Sequence, residues 1–248
     1  MQNVLTTLVT AICGAMIAVA AVIVMTNAGY MPVNEVQLRG YLLSHPQILG
    51  EMSDAAQRAE DAKNAAARVA VIKKVGIDAF FNPRIAFVTG PVNAPNTMVE
   101  FYDYDCPYCR ASLPAVKAAY EKHKNDTRFA FIEFPLDAHG PGALLAAKAS
   151  LAARAQPDKF LAFHYLMMGE SEQMTEEMIF ADAQKAGLDV KKLRADMANP
   201  EIAKILAESR DFGHKVQLEG TPTFVINGAM YPQAMDDEGL AAAFKKAS

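Results

Sequence analysis

The chain opens on an unbroken apolar run. From Val4 to Met25 the only polar side chains are Thr6, Thr7 and Thr10, and no Lys, Arg, Asp, Glu or His occurs before Glu35. Crossing a bilayer takes about 20 such residues, so residues 1–28 are expected to form a signal peptide or a membrane anchor. Ala18-Val19-Ala20 and Thr26-Asn27-Ala28 offer small residues at cleavage-like spacing, whereas the missing basic flank weighs against both readings. A buried core helix is the third option.

A helical extension is expected over 34–82. Asn34 is placed to cap a first helix holding Val36, Leu38, Tyr41 and Leu42, and Ser44 a second with Pro46 in its opening turn. The second helix is expected from Pro46 to Phe80. In it Met52, Ala55, Ala59, Ala62, Ala66 and Val69 recur at alternating spacings of three and four among many charged residues, a narrow heptad-like seam. A long helix with so thin an apolar stripe is not stable alone in water. It must pack on its own chain or on a copy of itself, and the length of the helix favours the copy.

Pro83, Gly90, Pro91 and Pro95 mark a loop. Beyond it, over 96–248, the period alternates between two and 3.6. Thr97–Tyr102 and Phe129–Phe134 are expected strands, with a helix from Pro107 to Lys122 between them. Helices follow at Gly142–Ala155, Pro157–Met168, Thr175–Ala186, Val190–Met197 and Pro200–Leu218. Then come a strand Thr223–Ile226, an Asn227-Gly228 hairpin turn, a return strand from Ala229 to Tyr231 and a closing helix Asp237–Lys246. That order is an α/β arrangement with a helical insertion at about 141–218.

Composition narrows the chemistry. The chain has 248 residues, is 52% apolar and 21% charged, and carries a net charge of −4. It gives no basic footprint for nucleic acid, and there is no Gly-rich phosphate loop. Three cysteines occur, Cys13, Cys106 and Cys109, too few for a disulfide scaffold. Cys13 lies in the apolar run. No second C-x-x-C pair is present to complete a four-thiolate zinc site, so no metal and no cofactor is expected.

Cys106-Pro107-Tyr108-Cys109 follows a strand and opens a helix. Unpaired N–H groups and the positive end of the helix dipole favour an anion there, so the Cys106 thiol is expected below the free value of about 8.5. Cys109, one turn further in, is expected to be more buried and to resolve a mixed disulfide formed on Cys106. Asp103 and Asp105 work against the thiolate unless their charge is screened. Gly220-Thr221-Pro222-Thr223 marks a sharp turn before a strand, and spacing alone favours an ordinary trans proline over a cis bond. Two histidines stand out: His139 is expected at the surface of a loop, and His164 in or beside the core.

The strand Val99-Glu100-Phe101-Tyr102-Asp103-Tyr104, the Cys106–Cys109 centre, the inserted helices and Thr221-Pro222 resemble the periplasmic disulfide oxidoreductases of the DsbA family. Tyr41-Leu42-Leu43-Ser44-His45-Pro46-Gln47-Ile48-Leu49 resembles the N-terminal helical segment of ScsC-like members. The resemblance implies a thioredoxin fold with an inserted helical domain, preceded by a helical oligomerisation segment. It implies a redox disulfide between Cys106 and Cys109, with Pro107 and Tyr108 as supporting residues. It implies a cis Pro222 beside the Cys106 sulfur, with Thr221 pairing to an extended client chain. Glu100 falls where the family keeps a buried acid that takes the Cys109 proton; the alternative is a surface residue at a strand edge.

By the same resemblance, the expected function is that of an exported, periplasmic protein disulfide isomerase or reductase. Its partners would be cysteine-containing client proteins, a membrane redox partner and further copies of itself, ScsC-like relatives including trimers. Thr221 before the proline and Tyr108 in place of the oxidase's His both lean towards isomerase or reductase. A DsbA-like dithiol oxidase is the first alternative. A copper-binding or copper-tolerance protein is the second, since thiolates bind Cu(I) and 13 Met residues are present. Met167, Met168, Met174 and Met178, however, sit at helical spacing and suit a core.

Overall fold

The computed structural model describes residues 35–246. The apolar run at 1–28, with Cys13 and the cap residue Asn34, lies outside the described residues. The chain divides into two compact units between Asp61 and Ala62.

The first unit holds helix α1 (Glu35–Ser44) and the start of helix α2 (Gln47–Val75). Ser44 closes the first helix rather than capping the second: its hydroxyl donates to the Gly40 and Tyr41 carbonyls at 2.9 Å each, a back-bond open to a serine in the last turn. Val36, Leu38, Tyr41, Leu43, Leu49 and Met52 are all exposed. Helix α2 ends at Val75, short of the expected Phe80, because Gly76 takes φ 84° and stops the helix. A 3₁₀ turn, Ile77–Phe81, then buries Phe80 and Phe81.

The second unit is built on a five-stranded sheet of order β1-β3-β2-β4-β5. Strand β2 (Asn96–Tyr102) lies parallel to β3 (Thr127–Glu133) and antiparallel to β4 (Thr223–Ile226). Helix α3 (Pro107–His123) makes the crossover that a parallel pair requires. Strand β5 (Ala229–Tyr231) returns through the hairpin, where Asn227 at φ 47° and Gly228 at φ 82° supply the two left-handed residues of a type I′ turn. The Asn227 side chain also accepts the Thr97 N–H at 2.7 Å, pinning the turn to the start of β2. Strand β1 (Phe87–Thr89) pairs antiparallel with β3 inside the segment expected to be loop. At three residues, between Pro83 and Pro91, it is too short to show a period.

Helices α4 (Pro141–Ala153), α5 (Pro157–Met168), α6 (Glu176–Lys185), α7 (Val190–Met197) and α8 (Pro200–Lys215) lie between β3 and β4, and α9 (Asp237–Lys246) closes the fold. Proline at the first helical position of α4, α5 and α8 fixes their starts. The sheet is buried on both faces, so side chains along each strand alternate between two cores. Met98, Tyr102, Phe129, Phe131 and Phe224 enter the core that holds Cys106 and Cys109. Val99, Phe101, Ile132 and Val225 enter the other with Ile72 and Phe80. Met167, Met168 and Met174 are buried in the first core, where they act as fillers. The architecture is the expected thioredoxin fold with a helical insertion.

Candidate active site

Strand β2 delivers the chain to a turn, and Cys106 is the residue that caps α3. Its backbone is extended (φ −79°, ψ 117°), its N–H donates to the Asp103 carbonyl at 3.2 Å, and Pro107 occupies the first helical position. The N–H groups of the first turn therefore face the cysteine. The two cysteines are free thiols. The Thr221–Pro222 bond is cis, as the resemblance implies and against the trans bond favoured by spacing. It brings the Thr221 carbonyl to 3.1 Å from the Cys106 sulfur, which donates to it as a thiol.

The two sulfurs are held in opposite charge states. The Cys106 pKa is pushed down to about 5, chiefly by the hydrogen bond from the Cys109 thiol. The Thr221 hydroxyl and the N–H groups of Cys109 and Tyr108 add to this against the opposing effect of burial. Among the described residues the Thr221 hydroxyl has no hydrogen-bond partner, so it is available once the sulfur loses its proton. The Cys109 pKa is pushed well above the ordinary thiol range, first by burial and then by the Cys106 sulfur and Glu100. Exposure does not distinguish the pair, because each residue is 1% exposed. Cys109 nevertheless lies deeper beneath protein atoms, as expected, and that depth is the first cause of its raised pKa.

Glu100 lies on the central strand, on the β2 face that carries Met98 and Tyr102, and is 3% exposed. A surface position at a strand edge is thereby excluded. Among the described residues its Oε2 has no hydrogen-bond partner, and burial pushes its pKa up to about 8. Tyr108 by contrast is exposed and forms one wall of a groove of about 400 Å³. Glu219, Thr221, Pro222, Pro232 and Gln233 line the rest of it.

Asp103 and Asp105 turn inward instead of being screened by solvent. Asp103 accepts the Leu136 N–H at 2.8 Å and pairs with His139 Nδ1 at 2.7 Å, so His139 has a bound role where a surface position was expected. Asp105 accepts the Met174 N–H at 2.8 Å and pairs with Arg110 at 2.9 Å. Arg110 also reaches the carbonyls of Tyr104 and Glu172. The turn before Cys106 is thus bolted to the helical insertion. Burial still outweighs these partners at Asp105 and raises its pKa.

A second polar group runs beneath that turn. Tyr102 donates to Glu133 at 2.9 Å, Tyr104 donates to Ser150 at 2.9 Å, and Tyr104 meets His164 Nδ1 at 2.9 Å. Glu133 is also paired with Arg154. His164 is in the core, and burial pushes its pKa down to about 3, so it stays neutral. Sequence reasoning missed Arg110, Glu133 and Arg154. Each partner lies far along the chain or on another element, and no local spacing marks the pairs.

Residues 85–246 match the thioredoxin family. Among curated proteins, the Na(+)/H(+) antiporter NhaA 3 of Salinispora tropica is 31% identical over 160 residues, which is 64% of this chain and 24% of the antiporter. The match thus spans about a quarter of that relative's length. Among solved structures, a thioredoxin-like oxidoreductase from Silicibacter pomeroyi superposes with a TM-score of 0.61 at 36% identity, covering 68% of this chain and 94% of that one. The catalytic domain of Proteus mirabilis ScsC superposes with a TM-score of 0.62 at 25% identity, covering 72% and 97%.

Proposed function

Because this chain belongs to the thioredoxin family, we propose that it is a thiol–disulfide oxidoreductase of the DsbA and ScsC type. In this reading it isomerises or reduces disulfides of exported, periplasmic proteins through Cys106 and Cys109. The observation that carries the reading is the opposed charge state of the two sulfurs beside the cis Pro222 turn.

The Cys106 thiolate attacks one sulfur of a client disulfide, and the other client sulfur leaves as a thiolate. The client strand lies along the Thr221 backbone. In the isomerase cycle a client thiolate then attacks elsewhere and releases Cys106 unchanged. In the reductase cycle Cys109 loses its proton to the Glu100 carboxylate and attacks the Cys106 sulfur. The client then leaves as a dithiol and the Cys106–Cys109 disulfide remains for a membrane partner to reduce. A low thiol pKa supplies the nucleophile at neutral pH, and a buried carboxylate with a pKa near neutrality suits a proton acceptor.

Self-association belongs to the same proposal. Val36, Leu38, Tyr41 and Leu43 of α1 and the seam residues Met52 and Val69 of α2 are exposed, and a copy of the chain would cover them. Several linked centres would hold a misfolded client at high effective concentration. Residues 1–28 would direct export or anchor the chain. Among the described residues, no helix is long and apolar enough to cross a membrane.

A second reading, a dithiol oxidase, draws on one observation. A thiol held at about 5 stabilises the reduced pair and makes the disulfide more oxidising, which offsets the lean given by Tyr108 and Thr221. Incubation with a scrambled multi-disulfide substrate separates the two readings. An isomerase restores the native pairing, and Cys106→Ala abolishes the recovery. A protein that leaves the scrambled substrate inactive but rapidly oxidises reduced substrate is an oxidase.

A further inference from the structure

The groove beside Cys106 is chemically one-sided. Its walls are the exposed ring of Tyr108 and the apolar surfaces of Pro222, Pro232 and Ala234, and its only ionisable carboxylate is Glu219. Glu219 is exposed and has no ion-pair or hydrogen-bond partner among the described residues. Gln233 and Ala234 carry the surface on into an adjoining hollow that ends at Asp236, whose Oδ1 accepts the Gly239 N–H at 2.8 Å. Among the described residues, no lysine or arginine lines either hollow. An aliphatic stem fits against the prolines, and a cation finds a carboxylate, a carboxamide oxygen and an aromatic face together. That combination recognises a basic side chain.

We propose that this groove selects clients carrying Lys or Arg within two residues of the reactive cysteine, with Glu219 as the specificity-determining residue. The inference rests on the reading of the chain as a thiol–disulfide exchanger. A client strand laid along the Thr221 backbone alternates its side chains. Thr221 and Pro222 also line the groove, so side chains close to the attacked cysteine pass Tyr108 and Glu219. An acidic side chain at that place meets the Glu219 carboxylate and no cation.

The test uses short peptides whose single cysteine is a mixed disulfide with thionitrobenzoate. The peptides differ only in carrying Arg, Gln or Glu beside the cysteine. Attack of the Cys106 thiolate on the peptide sulfur forms a protein–peptide disulfide and releases coloured thionitrobenzoate. The quantity read is the Arg-to-Glu ratio of rates for the reduced protein and for Glu219→Gln. For an exposed charge pair, attraction and repulsion together give a ratio of roughly three- to tenfold at low salt. The ratio should fall towards one in Glu219→Gln and at high salt, with the Gln peptide unchanged. A ratio of one in the wild type, or a ratio that Glu219→Gln leaves intact, overturns the inference while leaving the exchange reading standing. If none of the peptides reacts, the exchange reading fails and takes the inference with it.

Discussion

Replacing Glu100 by Gln keeps the shape of the side chain and removes its ionisation. In the unfolded chain a glutamate titrates near 4.5, and in the native protein burial moves Glu100 to about 8. Across that window the native state keeps a proton that the unfolded state has released, so the contribution of Glu100 to stability falls as pH rises. The slope is about 1.4 kcal/mol per pH unit. The burial of Glu100 therefore costs the wild type about 3 kcal/mol at pH 7 relative to pH 4.5, and the cost levels off above pH 8. The depressed Cys106 acts with the opposite sign, since reduced protein gains stability as pH rises above about 5. The informative quantity is therefore the difference between wild type and Glu100→Gln at each pH. Urea denaturation of both reduced proteins at pH 5, 6, 7 and 8 should show the variant gaining on the wild type by about 3.5 kcal/mol across the series. A difference independent of pH would refute the buried, proton-holding Glu100. The same variant should still attack client disulfides through Cys106 but should release trapped client about 10²-fold more slowly, for want of a proton acceptor at Cys109.

Removing the Cys109 thiol in Cys109→Ala should trap client mixed disulfides. It should also raise the alkylation midpoint of Cys106 by roughly 1–2 pH units, since a hydrogen bond to a charged group is worth about 1.5–3 kcal/mol. Arg154→Met leaves the buried Glu133 without its cation and should cost about 3–5 kcal/mol in urea denaturation. Gly142→Ala sets a methyl 2.4 Å from the Met174 carbonyl oxygen and 2.7 Å from Asp105 Oδ2. It should destabilise the protein by about 1–3 kcal/mol and loosen the clamp on the turn before Cys106.

Much of the catalytic unit is legible because its signals are local. Pro157 and Pro200 announce helix starts, Asn227-Gly228 announces a hairpin, and a C-x-x-C at a strand-to-helix junction announces an anion site. The rest depends on strand order and on long-range partners. The side chain of Glu100 is buried because β2 is the middle strand with helices on both sides, which no window around Glu100 reveals. Asp103 and Asp105 look destabilising for a thiolate until Leu136, His139, Met174 and Arg110 are brought to them from elsewhere in the fold. The edge strand Phe87–Thr89 forms because β3 offers it an edge, not because three residues prefer to extend. The stop at Gly76 rests on one positive φ within a stretch whose apolar spacing would carry the helix onward.

The asymmetry of the two thiols underlies every step above, and the pH at which each becomes reactive measures it directly. Reduced protein is pulsed with iodoacetamide from pH 4 to pH 10, and the cysteine-bearing peptides are quantified by mass spectrometry. Cys106 should be alkylated with a midpoint near pH 5, while Cys109 stays unlabelled until the protein is unfolded. A Cys106 midpoint near the free-thiol value of about 8.5, or equal labelling of the two cysteines, would contradict the account.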